Sequence, residues 1–283
     1  MSRRPRVPES RQLAPRVKAQ VARLLSSPAA GALISVACGD RIRNAGVVID
    51  TSHPAFTDTV RAQLAFGIYE SAEIRFIRRY LTGFTRVLEL GSSLGVTASH
   101  IIDVAAPGAE VVCVEANPEL LNALRTTLAA AAARTGAKVT AVHGAVPADL
   151  RPPSSGVLLK LGTSHLGSRV DSVTTDDGAR RLRVPAVDPY ELVRGWTGYA
   201  LVCDIEGAEA ALICPGRPVL TRASRLVIEL HQSSYRGARV TVAELRETLL
   251  NMGFLLVAER GRVLVLDGPV AATADRPLAG SRE

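Results

Sequence analysis

The chain has 283 residues, of which 47% are hydrophobic and 22% charged, a globular balance that excludes a mostly disordered polymer. The formal net charge is +7, but the excess is arginine scattered along the chain, with no dense basic run and only 4% aromatics, so it reads as a solvated surface and not a nucleic-acid footprint. Four cysteines without CxxC spacing give no zinc or disulfide framework, no apolar run reaches membrane-spanning length, and the basic start lacks an apolar signal core, so a cytoplasmic enzyme is expected.

Residues 1–30 begin as an Arg- and Pro-rich arm. Val17, Val21, Leu24 and Leu25 then repeat at helical spacing, a short amphipathic helix that packs on the main domain or serves as a homodimer contact or lid. Residues 31–68 are mixed, with an apolar stretch at 47–49 expected as an edge strand. Ile74, Ile77 and Tyr80 place a helix over 70–80. Strand and helix then alternate: strands at 87–90, 111–114 and 139–142, helices at 96–104 and from Pro118 to about 134. Continuous apolar strands separated by helices predict a parallel sheet covered on both faces. Residues 150–187, rich in Pro, Gly, Ser and Arg, break the rhythm as a loop or hairpin excursion with β-like pieces at 157–161 and 181–184. Alternation resumes with helices at 189–194, 208–213 and 240–252 and strands at 200–204 and 225–230. A terminal β pair at 254–258 and 262–266 turns around Gly261, and 268–283 reads as a disordered tail.

The first strand of this series runs into VLELGSSLGVT. Gly91 and Gly95 frame a tight turn into a helix, where glycines permit close backbone approach to a ligand and the helix start supplies free N–H groups. The second strand ends in VEANP. Glu115 stands 20 residues past Gly95, where an acid accepts hydrogen bonds from ribose hydroxyls; the competing role is to cap the next helix. A dinucleotide loop would want glycine at Ser93, and Glu89 just before the loop would repel a pyrophosphate. An acid there suits the ammonium of an amino-acid-bearing nucleoside, which favours S-adenosylmethionine over NAD. His143 and Gly144, at the tip of the third strand, fall where an adenine lies.

LVCDIEGAEAAL ends the fourth main strand and RLVIELHQ the fifth, so Asp204, Glu206, Glu229 and His231 gather at the sheet's carboxyl edge. Glu209 and Glu206 also suit a helix's first turn, a purely structural role. VLELGSSLGVT, VEANP, CDIEGAE and VIELH occur in the order and spacing of the FkbM family of methyltransferases, and FGIYESAE at 66–73 resembles the segment before that family's glycine loop. The resemblance implies a seven-stranded Rossmann-like α/β methyltransferase fold, mostly parallel with an antiparallel terminal strand. It divides the chain into an appendage at 1–65, the methyltransferase domain at 66–267 with its excursion at 150–187, and the tail. It further implies methyl transfer from S-adenosylmethionine to a hydroxyl of a sugar or secondary metabolite. The cofactor residues it marks are Glu70, Glu89, Gly91, Ser93, Gly95, Glu115, Ala116, Asn117, His143, Gly144 and Asp204. Two positions depart from the family: Val202 replaces a lysine and Ser93 an asparagine.

Methyl transfer needs the acceptor oxygen held in line and relieved of its proton. His231 is expected as general base because imidazole titrates near neutrality, with Asp204 the second candidate and Glu206 beside them. Asp204 with Glu206 or Glu229 is also the expected place for Mg²⁺. His165, in the excursion, faces substrate or solvent. The competing functions are a nucleic-acid methyltransferase, disfavoured by DIEG in place of an Asn/Asp-Pro-Pro-aromatic element, and a non-catalytic cofactor-binding module, towards which Val202 leans.

Overall fold

The computed structural model describes residues 27–147, 156–162, 169–170 and 180–269. The helix expected around 17–25, His165 and the tail beyond 269 lie outside them. The chain divides into two compact units, Met1–Tyr69 and Glu70–Glu283.

In the first unit, α1 (Pro28–Cys38) starts after Ser27, whose hydroxyl accepts the Ala30 N–H, and ends at Gly39. Strands β1 (Arg41–Asn44) and β2 (Val47–Asp50) pair antiparallel in their own two-stranded sheet, and α2 (Asp58–Ala65) follows, capped by Thr57. The stretch at 47–49 is therefore one arm of a hairpin and not an edge strand of the main sheet. Its two-residue turn, Ala45 and Gly46, has φ of 41° and 93°, the left-handed pair that matches strand twist in a tight hairpin. Helix α1 crosses the start of α2 so closely that a Cβ on Gly31 would stand 1.8 Å from the Asp58 carbonyl oxygen.

The second unit carries α3 (Ser71–Tyr80), β3 (Arg86–Leu90), α4 (Val96–Val104), β4 (Glu110–Glu115), α5 (Leu121–Thr135) and β5 (Lys138–His143) in the alternation expected. The excursion forms β6 (Val157–Lys160), β7 (Arg169–Val170) and β8 (Arg181–Val184), a three-stranded antiparallel sheet ordered β7–β6–β8. After it come α6 (Pro189–Leu192), β9 (Tyr199–Cys203), α7 (Ala210–Ile213), α8 (Pro218–Thr221), β10 (Ala223–Glu229) and the small hairpin of β11 (Ser233–Tyr235) and β12 (Ala238–Val240). Helix α9 (Val242–Asn251), β13 (Leu255–Arg260) and β14 (Val263–Asp267) complete the order. Thr241 and Glu244 make a reciprocal capping box at the start of α9, which fixes where that helix begins.

Seven strands form one sheet in the order β13–β14–β10–β9–β3–β4–β5. Strands β10, β9, β3, β4 and β5 run parallel, and β14 lies antiparallel between β10 and β13. This is the seven-stranded, mostly parallel α/β sheet expected, with one strand near the end of the order running antiparallel. Alternate residues feed two cores. Val87, Val111, Val202 and Val227 pack under Phe76, Ile77, Ile101 and Leu124 from α3, α4 and α5. Leu88, Val112, Leu201 and Leu226 pack under Trp196, Leu220, Leu245 and Leu249 from the other side. Val202, where the FkbM pattern has lysine, is 1% exposed and simply fills the first of these cores. Both faces being covered explains the unbroken apolar strands. Polar chemistry is left to the ends of the strands.

Candidate active site at the carboxyl edge

The glycine loop is held by the sheet that precedes it. The Gly91 and Ser92 N–H groups donate to the Val114 carbonyl at 2.9 and 3.0 Å, and Asp204 donates its N–H to Leu90 at 2.9 Å. A Cβ on Gly91, whose φ is +88°, would stand 1.7 Å from the Asp204 carbonyl oxygen. Gly95, at φ +79°, lies against Leu124 and Thr127 of α5. Within the chain, a side chain added at either glycine would meet protein. Gly91 lets the β3 and β9 tips touch, and Gly95 lets α4 start against α5.

Glu115, at the end of β4 and 6% exposed, ties this loop to the next. One carboxylate oxygen accepts the Ser93 N–H at 2.7 Å and the other accepts the Asn117 N–H at 2.6 Å. Asn117 in turn accepts the Glu119 N–H through its side chain, so VEANP is a self-capped turn. Ser93 takes φ +46° to reach Glu115, and its buried hydroxyl has no hydrogen-bond partner. Burial pushes the Glu115 carboxyl up, and the N–H groups of Asn117 and Ser93 oppose it. Ala116 packs against the apolar cluster of the excursion sheet. His143 sits beside Glu115 in the β4–β5 register with its Nε2 buried and unpartnered. Gly144 donates to the Glu115 carbonyl, and a Cβ on it would meet Val187 at 2.3 Å.

Glu89 is 1% exposed and accepts the Thr97 hydroxyl at 2.6 Å, so its visible duty is to hold the first turn of α4. Burial raises its pKa, with Ser92 and Thr97 opposing.

The tips of β9 and β10 differ in character. His231 is 8% exposed. Its Nδ1 stands 2.9 Å from Glu209 Oε1 and 3.9 Å from Asp204 Oδ1, and its Nε2 stands 3.6 Å from both Glu206 and Glu229. Arg262, in the turn just before β14, pairs with Glu229 at 2.8 Å. Burial alone would lower the His231 pKa. The bond to Glu209 and the charges of Glu209, Asp204 and Glu206 overcome it and raise the imidazole to about 9. Asp204 is raised to about 8, by burial first and then by Glu70, Glu229 and Glu206, against the pull of His231. The imidazole thus keeps its proton until the pH rises towards about 9. Asp204 is the group that titrates near neutrality, and its Oδ1 has no hydrogen-bond partner.

Helix α3 brings two more carboxyls. Glu70 precedes it at φ +41°, and burial with Glu229 and Glu206 raises its pKa. Glu73, one turn on and 4% exposed, is raised well above the ordinary range by burial, then by Asp204 and Glu70. Sequence reasoning missed Glu73, although its i, i+3 spacing from Glu70 puts both on one helix face. Glu70, Ser93 and Glu206 are three of the five non-glycine residues with positive φ among those described, and the other two, Ala45 and Arg236, lie in hairpin turns. Strain concentrated at one edge is typical of a functional site.

Asp204, Glu206 and His231 each offer one atom within 4.8 Å of the others, as do Glu70, Glu73 and Asp204. The Mg²⁺ expected at Asp204 with Glu206 or Glu229 gains no support from the first set, which brings in His231 instead of Glu229. The imidazolium already serves as the cation among these carboxylates, and a protonated nitrogen offers no lone pair.

No known family description matches the chain, and no curated protein matches it. Solved structures that resemble it include an Aeropyrum pernix fibrillarin with natively bound S-adenosyl-L-methionine, at 14% identity over 70% of this chain and 74% of that one, TM-score 0.42. A methyltransferase from Geobacter sulfurreducens is 15% identical over 91% and 97%, TM-score 0.42. A precorrin-6y C5,15-methyltransferase from Geobacter metallireducens is 12% identical over 70% and 88%, TM-score 0.39. At these distances the likeness stops short of any function, which rests on the residues of the carboxyl edge.

Proposed function

We propose that the chain is an S-adenosylmethionine-dependent methyltransferase of the FkbM type that methylates a hydroxyl on a small molecule such as a sugar or secondary metabolite. The observation that carries this is Glu115. A buried carboxylate at the second strand tip receives one backbone N–H on each oxygen and keeps a further acceptor position on each, the chemistry a ribose diol requires. The unpartnered Ser93 hydroxyl and His143 Nε2 nearby supply further polar groups suited to a nucleoside. When bound, the cofactor supplies a methyl group made electrophilic by a sulfonium. The chain's own part is to hold the acceptor and take its proton. Asp204, raised to about 8, becomes able to receive that proton as its carboxylate forms towards pH 8, and His231, still protonated there, can donate a hydrogen bond to an oxygen.

The acid lining favours a neutral or cationic acceptor, because a phosphate backbone would meet Glu70, Glu206 and Glu229. That supports a small-molecule partner over nucleic acid, and a cytoplasmic location is part of the same proposal. Among the described residues no helix is long and apolar enough to cross a membrane. A homodimer through the N-terminal arm remains part of the proposal, to be read by light scattering. The test of the whole is calorimetry with S-adenosylmethionine, followed by transfer of labelled methyl onto a panel of hydroxylated sugars and metabolites. Absence of cofactor binding overturns the proposal; binding without transfer to any acceptor points to the binding module.

A further inference from the structure

We infer that Glu209 is a positioning residue: its buried carboxylate locks His231 to the turn after β9 and aims Nε2 into the acid mouth of the site. The inference rests on the methyl-transfer proposal for its role in turnover and on geometry alone for the lock. Glu209 precedes α7, a helix of only four residues, and makes no side-chain cap bond to it. Helix capping, the plain role the sequence offers, is therefore not what Glu209 does. It is 0% exposed, and a carboxylate so buried is costly unless paired and hydrogen-bonded. Oε1 meets three partners: the Ile205 N–H at 3.3 Å, the Gly207 N–H at 3.2 Å and His231 Nδ1 at 2.9 Å.

Two of these bonds shape the turn in which Glu206 adopts φ +51° and Gly207 φ +104°. The third crosses to the tip of β10. One oxygen thus sets the geometry of both strand tips. With Nδ1 engaged, Nε2 is the nitrogen left to act, 3.6 Å from Glu206 and from Glu229. A carboxylate on one imidazole nitrogen fixes which proton stays and how the ring is turned. The charged groups around the ring are Asp204, Glu206 and Glu209 from the β9 side, Glu229 with its partner Arg262, and Glu70 ahead of α3. Of these, only Glu209 hydrogen-bonds to the imidazole.

The test uses the full chain, with two-bond proton–nitrogen NMR of the imidazole in wild type and Glu209→Gln, without ligand. In wild type, Nδ1 should keep its proton through the titration and Nε2 should lose its own only near pH 9. In Glu209→Gln, which preserves shape and removes charge, that titration should fall by about one pH unit or more. With a methyl acceptor in hand, kcat should fall about 10-fold or more while cofactor affinity stays within about 2-fold. Glu209→Asp, one methylene shorter, should restore part of the titration shift. An Nδ1 that loses its proton first in wild type overturns the inference even if the variants do not fold. So does an unchanged titration, or an unchanged kcat, in Glu209→Gln. A wild-type protein that binds no S-adenosylmethionine yet shows the imidazole shift would sink the methyl-transfer proposal and leave the lock standing.

Discussion

At the tips of β3 and β4, Glu115 is answered by backbone: two N–H groups, one on each oxygen. At the tips of β9 and β10, Asp204, Glu206, Glu209, Glu229 and His231 answer one another through side chains. Backbone donors cannot titrate, so the partners that hold Glu115 stay fixed while only its own carboxyl can change charge. Side-chain clusters do titrate, and the second region shares its protons among groups raised to about 8 and about 9. The same sheet edge thereby holds a backbone-tied side and a proton-sharing side, and each can be broken separately.

The largest expected effect comes from joining the two regions badly. Gly91→Val would drive a β-branched side chain into the Asp204 carbonyl at a position with φ +88°. A loss of roughly 4 kcal/mol or more is expected, the range of severe backbone and core defects, visible in thermal unfolding before any binding is measured. An unfolding midpoint like that of the wild type would mean the two tips do not touch.

Next come substitutions confined to the proton-sharing side. Asp204→Asn and His231→Ala should each lower turnover on the order of 100-fold while cofactor affinity stays nearly constant. Steady-state kinetics beside calorimetry separates the two readouts, and a matching loss of affinity would erase the division between the regions. Glu115→Ala should do the reverse, weakening S-adenosylmethionine by about 1.5–3 kcal/mol because charge-assisted bonds to ribose are lost. It also strands the Ser93 and Asn117 N–H groups, so its unfolding midpoint should be measured alongside.

A smaller effect is expected from pH. His231 is raised from 6.5 to about 9, so its contribution to stability is complete below pH 6.5 and lost as pH rises through about 9. Asp204 is raised from 3.8 to about 8, so its contribution is complete below 3.8 and lost as pH rises through about 8. The unfolding midpoint of the ligand-free protein should fall by a few °C, on the order of 2–4 °C per kcal/mol, between pH 6.5 and 9. In His231→Ala the fall should be smaller. The smallest effect is expected from a chelator: activity should persist in EDTA, because a protonated His231 already supplies positive charge among these carboxylates.

Much of the architecture could be read before any coordinates. Unbroken apolar strands spaced by helices identify a covered parallel sheet, and the glycine turn and the VEANP turn are marked by local chemistry. The first unit was harder. Its helices α1 and α2 have 11 and 8 residues, and their apolar periodicity is weak, so the hairpin between them passed for part of the main sheet.

The sequence by itself determined which residue types stand at the strand tips, and therefore that Glu115, Asp204, Glu206 and His231 share one edge. Only the tertiary structure decided what each of them does. The pKa of a carboxyl or an imidazole depends on burial and on neighbours brought from other elements. Glu73 of α3 reaches Asp204, Glu209 reaches His231, and neither pairing has a local signal. The glycines make the same point. Their spacing marks a turn, but only the close approach of the β3 and β9 tips shows that Gly91 leaves room for the Asp204 carbonyl.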